Sequence, residues 1–314
     1  MLIIDAHCDT ASVLLDNKEN FYENEKSHIC LKKLSSSDED VRLQFFAAFA
    51  DLDIYRGNEL ARVLSIIDYV YEAERRYSDK FKICLNAQEI DKAICNRKIA
   101  ALLSVEGGEA LCGQLSILRQ LYRLGVRSML LTWNYRNLLA DGAGEKNGKG
   151  VSEFGRQVVC EMNRLGMLVD VSHLCQASFY DVLDNSASPV IASHSNSKAI
   201  CDNIRNLDDK QLEALKRNGG VVGVNLYPYF INNTQKATID DVVRHIEHIC
   251  SITGDEDIGL GADFDGIECT PDGLEGPHKL QKLFDRLLQL NYSETFLEKF
   301  AGLNFMRVIK LVLK

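Results

Sequence analysis

Short apolar runs recur at intervals along the chain, and most of them end in a side chain able to hold a metal ion. The runs lie at 2–9, 41–49, 99–108, 126–133, 167–173, 189–194, 219–225 and 258–265. Helical apolar spacing lies between them, over 59–77, 115–124, 152–165, 175–185, 208–217 and 239–253, with a helical tail from 277 to 313. Eight strands alternating with helices predict a (β/α)8 TIM barrel. Strands covered on both faces should read as continuous Val/Ile/Leu runs, and these mostly do. A doubly wound open sheet is the alternative, but no G-x-G-x-x-G follows the first run. The polar residues also end strands one, three, five, six and eight. An open sheet would spread those ends over tens of ångströms at about 4.8 Å per strand, whereas a closed barrel brings them to one point.

The first run ends Asp5-Ala6-His7-Cys8-Asp9. Residues two apart on a strand share a face, so His7 and Asp9 project together while Cys8 points the other way and packs. The remaining strand ends carry Glu106 before Gly107-Gly108, then His173, His194 and Asp263. Singly, each has a local explanation as a core histidine, a loop carboxylate or a helix cap. Jointly these fail, because three of the seven histidines would fall at strand ends by coincidence. Three imidazoles and three carboxylates suit a binuclear site, and its bridge needs a carboxylate whose two oxygens face metals about 3.5–4 Å apart. Glu106, followed by flexible glycines, suits that position. His245 and His248 lie on a helix outside the barrel and are expected not to ligate. His28 and His278 are expected at the surface, and residues 11–40 as a polar loop.

Composition narrows the remaining classes. With 46% hydrophobic and 26% charged residues, the chain is of the soluble globular type. A net charge of −9 without a basic stripe excludes a nucleic-acid binder. No run of about 18 apolar residues occurs, so no membrane helix is expected. The opening residues read as mature protein and not as a signal peptide. Ten scattered cysteines without a CxxC pair predict reduced thiols in a cytoplasmic protein. A single catalytic domain over 1–314 is expected.

At this point the chain resembles the membrane (renal) dipeptidase family, zinc dipeptidases of the amidohydrolase superfamily. The resemblance runs almost end to end. It rests on Asp5-Ala6-His7-Cys8-Asp9, Gln44-Phe45, Val105-Glu106-Gly107-Gly108, Gly125-Val126-Arg127 and Ala140-Asp141. It continues through Phe154-Gly155, Asn163-Arg164-Leu165-Gly166, Asp170-Val171-Ser172-His173 and Ser193-His194-Ser195. Arg205-Asn206, Gly261-Ala262-Asp263-Phe264-Asp265-Gly266 and Gly302-Leu303-Asn304-Phe305-Met306-Arg307-Val308 complete it.

The resemblance implies two Zn2+ per chain, with His7 and Asp9 on the first, His173 and His194 on the second, and Glu106 bridging. A metal-bridging hydroxide would attack the peptide bond of a dipeptide. Arg205 resembles the family arginine that grips the substrate carboxylate; without the family, a surface salt bridge to Asp208 or Asp209 would be the simpler reading. Asp263 looks like the proton-handling residue, ahead of Asp265. Trp133, which ends the fourth run, and Asn134 beside it are expected at the substrate pocket. A homodimer is also implied. One departure stands out: the family's animal enzymes have His where Trp133 stands, and carry an export signal, disulfides and a lipid-anchor tail not visible here. Another amidohydrolase, an amidase or lactonase, is the alternative enzyme, although a neutral lactone would give Arg205 nothing to bind. A metal-bound regulatory protein without catalysis is the alternative of another class.

Overall fold

In the computed structural model, which describes residues 1–35 and 41–313, nine strands form one sheet. They are β1 (Ile3–Asp5), β2 (Val41–Phe49), β3 (Phe81–Ile83), β4 (Ile99–Glu106), β5 (Val126–Leu130), β6 (Leu168–Asp170), β7 (Ile191–Ala192), β8 (Val221–Val224) and β9 (Ile258–Leu260). Every pairing is parallel, and β1 pairs with both β2 and β9, which closes eight of the strands into a barrel. The (β/α)8 expectation is met.

The ninth strand, β3, was not anticipated. It pairs only with the start of β4, through Phe81↔Ile99 to Ile83↔Ala101, and lies outside the ring. On that edge β5 takes over from Leu103 onward. Three residues with an exposed Lys82 between two buried neighbours are too short to stand out as a periodic signal.

The strands are shorter than the apolar runs that predicted them. β1 stops at Asp5, and the chain stays beside β2 as far as Cys8, with Cys8 N–H donating to Phe45 O (3.1 Å) and Ala47 N–H to Cys8 O (2.9 Å). His7 and Asp9 therefore keep the expected alternation without belonging to a regular strand, and Cys8 packs in the core. His173 and Asp263 likewise lie past the ends of β6 and β9, each on left-handed backbone (φ 68° and 65°).

β4 is buried at every position, and its residues alternate between two cores. On β4, Ala100 and Leu102 join Leu43 and Phe45 of β2 in a cluster inside the barrel, packed against Phe305 and Ile309 of the last helix. Ile99, Ala101, Leu103 and Val105 face the surrounding helices instead. Glu106 is in phase with Ala100 and Leu102, so it points into the barrel mouth.

Most helices fall where their spacing indicated. Ser152 caps Glu153–Leu165 by accepting from Gly155 N–H, and Gly166 ends that helix at φ 76°. Asp208 and Gln211 form a capping box on Asp209–Asn218. The expected loop over 11–40 is corrected in part, since Thr10–Asn17 and Leu31–Leu34 are helical and bury Ala11, Leu14, Leu31 and Leu34. Residues 36–40 lie outside the described residues. His28 is not a free surface residue: its Nδ1 accepts from Asp265 N–H at 2.9 Å.

His245 sits in Ile239–Thr253, fully buried and far from a ligand role. Ser197 N–H donates to its Nδ1 (3.1 Å), so Nε2 carries the proton and donates to Ile231 O (2.8 Å). Burial lowers its pKa to about 4. The unfolded chain then binds a proton near pH 6.5 that the folded chain refuses. The stability contributed by neutral His245 is complete above about pH 6.5 and declines toward pH 4, by roughly 3 kcal/mol. Thermal unfolding of His245→Gln should accordingly lose less stability than wild type between pH 7 and pH 5. An identical pH dependence in both proteins would remove His245 as the source.

Candidate metal centre

The centre is built outward from Glu106. Its Oε2 lies 3.4 Å from His7 Nε2, and its Oε1 lies 3.0 Å from His173 Nε2. One carboxylate thus faces two different imidazoles with two different oxygens. His7 Nε2 is also 3.3 Å from Asp9 Oδ2 and 3.8 Å from Asp263 Oδ1, and His173 Nε2 is 2.8 Å from His194 Nε2. The donor atoms of His7, Glu106 and His194 all lie within 4.8 Å of one another, as do those of His7, Asp9 and Asp263. All six residues expected to converge do so.

Two buried aspartates hold the strand ends in this register. Asp5 accepts from Ala262 N–H (2.8 Å) through Oδ1 and from the Gln44 side chain (3.0 Å) through Oδ2, tying β1 to its neighbours β9 and β2. Asp170 Oδ1 accepts from Ser172 N–H (3.0 Å) and Ser193 N–H (3.1 Å), fixing the segments that carry His173 and His194. Gly266 is needed by close approach, because a Cβ there would collide with the carboxylates of Asp9 and Asp263. Asp5, Gln44 and Asp170 are visible in the sequence only as members of the family pattern; their partners emerge from the closed barrel.

The nitrogen inventory suits ligation. His173 Nδ1 is 2.9 Å from Asn134 Oδ1, and His194 Nδ1 is 2.8 Å from Ser193 Oγ. With Nδ1 engaged outward, Nε2 of both rings keeps its lone pair facing inward, the arrangement expected of metal ligands. Burial lowers the pKa of His173 to about 4, with Arg205 adding to the effect, and holds His194 well below its ordinary value. His7 behaves oppositely: burial opposes its charge, but Glu106 and Asp9 outweigh that and raise it well above the usual imidazole range. Burial also opposes charge on Glu106, yet the His7 and His173 rings hold it below the usual carboxylate range.

A cation fits these residues on two counts. His7 Nδ1 and Asp9 Oδ1 are buried without a hydrogen-bond partner. Asp9, Glu106 and Asp263 bring three carboxylates to one place at 9%, 6% and 8% exposure. Buried like charges are costly unless positive charge joins them. Arg62, the other arginine lining this cavity, is already bidentate to Asp16 at 2.6 and 2.7 Å.

Asp263 and Asp265 separate clearly. Asp263 faces the centre, accepts from Asn225 Nδ2 at 2.8 Å, and is pushed by burial up to about 7, against His7 and with help from Asp9 and Glu106. Asp265 instead anchors the 28–29 segment, accepting from Thr10 Oγ1 (2.6 Å), His28 N–H (2.5 Å) and Ile29 N–H (3.2 Å). Asn225 was overlooked, although it is the polar residue closing the seventh apolar run.

Arg205 is not a surface salt bridge. It is buried, donates from Nη2 to His194 O (3.2 Å), and lies over the Phe230 ring at 5.3 Å. Asp208 is occupied with Gln176 and Gln211, and Asp209 with His248. Burial lowers Arg205 only to about 10, so it stays cationic at neutral pH. Arg205, Trp133 and Asn134 line one cavity of about 450 Å3 with Asp9, Glu106 and Asp263. Trp133 is 38% exposed, with its rings 5.3 Å from Phe49 and 6.4 Å from His173.

The chain is similar to known proteins along its length. Two uncharacterised dipeptidases of Schizosaccharomyces pombe are 37% and 38% identical, each over 98% of this chain and 80% of its own length. A crystal structure of a metallopeptidase from Rhodobacter sphaeroides, liganded with a phosphinate mimic of the dipeptide L-Ala-D-Ala, superimposes with a TM-score of 0.93. It is 25% identical, and the match covers 99% of each chain. A dipeptidase of peptidase family M19 superimposes with a TM-score of 0.94 at 26% identity, covering 100% of this chain and 99% of its own. Residues 1–314 match the membrane dipeptidase family throughout. The chain belongs to that family, peptidase family M19, and is a metal-dependent dipeptidase.

Proposed function

We propose that the chain is a binuclear zinc dipeptidase that acts within one domain over 1–314. The observation that carries this is Glu106, whose two oxygens face His7 and His173 separately. His7 and Asp9 would hold one ion, His173 and His194 the other, and Glu106 both. When bound, the two ions supply Lewis acidity to the scissile carbonyl and bring the pKa of a water toward neutrality.

The chain's own groups do the rest. Arg205 receives the substrate carboxylate: its guanidinium is a fork for two oxygens, and its Nε is buried without a partner. That contact selects short peptides whose free carboxylate lies next to the scissile bond. Asp263 takes the proton from the attacking water and passes it to the leaving amine; its carboxylate faces the centre and is held there by Asn225 Nδ2. Trp133 and Phe49 form an apolar wall for the substrate. The L-Ala-D-Ala mimic held by the Rhodobacter relative supports acceptance of a D-residue in the second position. Ten free cysteines suit a reducing compartment and support a cytoplasmic enzyme.

Three outcomes test this reading. Elemental analysis of protein loaded with zinc and then desalted should find two ions per chain, and Glu106→Gln should weaken both, since one side chain serves both. A single ion, or one site left intact in the variant, would contradict the bridge. Arg205→Met should lower kcat/KM on free dipeptides roughly 10- to 150-fold, the equivalent of a charged hydrogen bond. Amidating the substrate's carboxylate should cost wild type a similar factor and the variant little; equal losses in both would reject Arg205 as the clamp. Asp263→Asn should keep its metal and lose at least about 10²-fold in kcat, whereas the same phenotype from Asp265→Asn with an active Asp263 variant would reverse the assignment.

A further inference from the structure

Asn134 lies next to the metal centre with one half of its side-chain amide in use. Its Oδ1 is 2.9 Å from His173 Nδ1. If His173 Nε2 keeps its lone pair toward the centre, Nδ1 carries the ring proton and needs an acceptor, which fixes the amide with its oxygen toward the ring. The Asn134 Nδ2 donors then point away from His173. Among the described residues they have no hydrogen-bond acceptor, and Asn134 is half-buried in the wall of the substrate cavity.

The backbone beneath this amide is held from two sides. Gly144 N–H donates to Asn134 O (2.7 Å), and Ala143 N–H donates to His173 O (2.7 Å), so one short loop ties Asn134 and His173 together. Gly142 packs so closely on the Trp133–Asn134 backbone that a Cβ there would collide with it. Trp133 lies across the His173 ring on the same loop. A donor fixed in this way has little reorganisation to undergo during a reaction, the property that makes a hydrogen bond to developing charge effective.

We propose that Asn134 acts through both ends of its amide: Oδ1 positions His173, and Nδ2 donates to the oxygen of the scissile carbonyl as that oxygen becomes negative. This rests on the dipeptidase reading above and adds a catalytic residue to it. In the step concerned, the water oxygen bonds to the carbonyl carbon while its proton goes to Asp263. The carbonyl π pair moves onto the oxygen that faces Nδ2. When the C–N bond breaks, that pair re-forms the carbonyl and the leaving amine takes the proton from Asp263. Asn134 gives up no proton; it stabilises charge.

Two substitutions separate the two ends. Asn134→Asp keeps an acceptor for His173 and removes the donor; Asn134→Leu removes both without adding charge. Each is compared with wild type in saturating zinc for kcat and KM on Gly-Gly, for inhibition by a phosphinate dipeptide mimic, and for zinc affinity by chelator competition. We expect kcat about 10²-fold lower in both variants, the lower end for one lost oxyanion donor. KM should change less than threefold, and phosphinate affinity should fall in parallel with kcat. Zinc affinity should be retained in Asn134→Asp and weakened in Asn134→Leu. A kcat within threefold of wild type in either variant, or unchanged phosphinate affinity in both, would overturn the donor role. Equal zinc affinity in all three proteins would overturn the positioning role. Wild-type protein that holds zinc yet hydrolyses no dipeptide would overturn the dipeptidase reading and this assignment with it, whereas an active wild type with unaffected variants overturns only the latter.

Discussion

The Glu106 carboxylate, buried between His7 and His173, is the interaction on which the rest of the centre depends. It ends β4, in phase with the residues that fill the barrel, so it cannot turn to solvent without breaking the strand's alternation. Its charge organises both imidazoles from opposite oxygens. The other two carboxylates converge on His7, and the remaining histidine on His173. Removing this one group would take away the side chain that faces both His7 and His173.

Around it the molecule spends buried aspartates as braces. Asp5 and Asp170 carry no assigned chemistry, yet each receives hydrogen bonds that cross between strands. Burial raises both carboxyls, Asp5 to about 6, which shows how costly their position is without those donors. Asp265 does the same for the segment behind the cavity. These braces let His7, His173, His194 and Asp263 stand on irregular backbone past the strand ends and still meet at fixed distances.

Much of this was legible in the sequence for a simple reason: barrel strands are apolar runs, and the active end of most is marked where the run stops at a polar residue. Eight strands and six converging side chains follow from that rule. Where the rule has nothing to act on, the reading fails. β3 is too short to show a period, and the helix Thr10–Asn17 is only eight residues long, with Asp9 at its N-cap turned to His7 and not capping it. The roles of Asp5, Gln44, Asp170 and Asn225 depend on partners distant in the chain. Arg205 illustrates the opposite failure: sequence proximity to Asp208 and Asp209 suggests a salt bridge, but both carboxylates cap or pair elsewhere.

The seam between β1 and β9 carries a consequence for how the protein is made. Asp5 accepts from Ala262 across 257 residues of chain, and His7 meets Asp263 over the same seam. His7 and Asp9 leave the ribosome more than 250 residues ahead of Asp263. Contacts of such long sequence separation form late, after most of the loop-closure entropy has been overcome. A truncated chain lacking β9 has neither the seam nor Asp263 and so no complete centre. The meeting of Asp263 with His7 is thereby tied to completion of the barrel, so the proton-handling position is the last part of the site to be assembled.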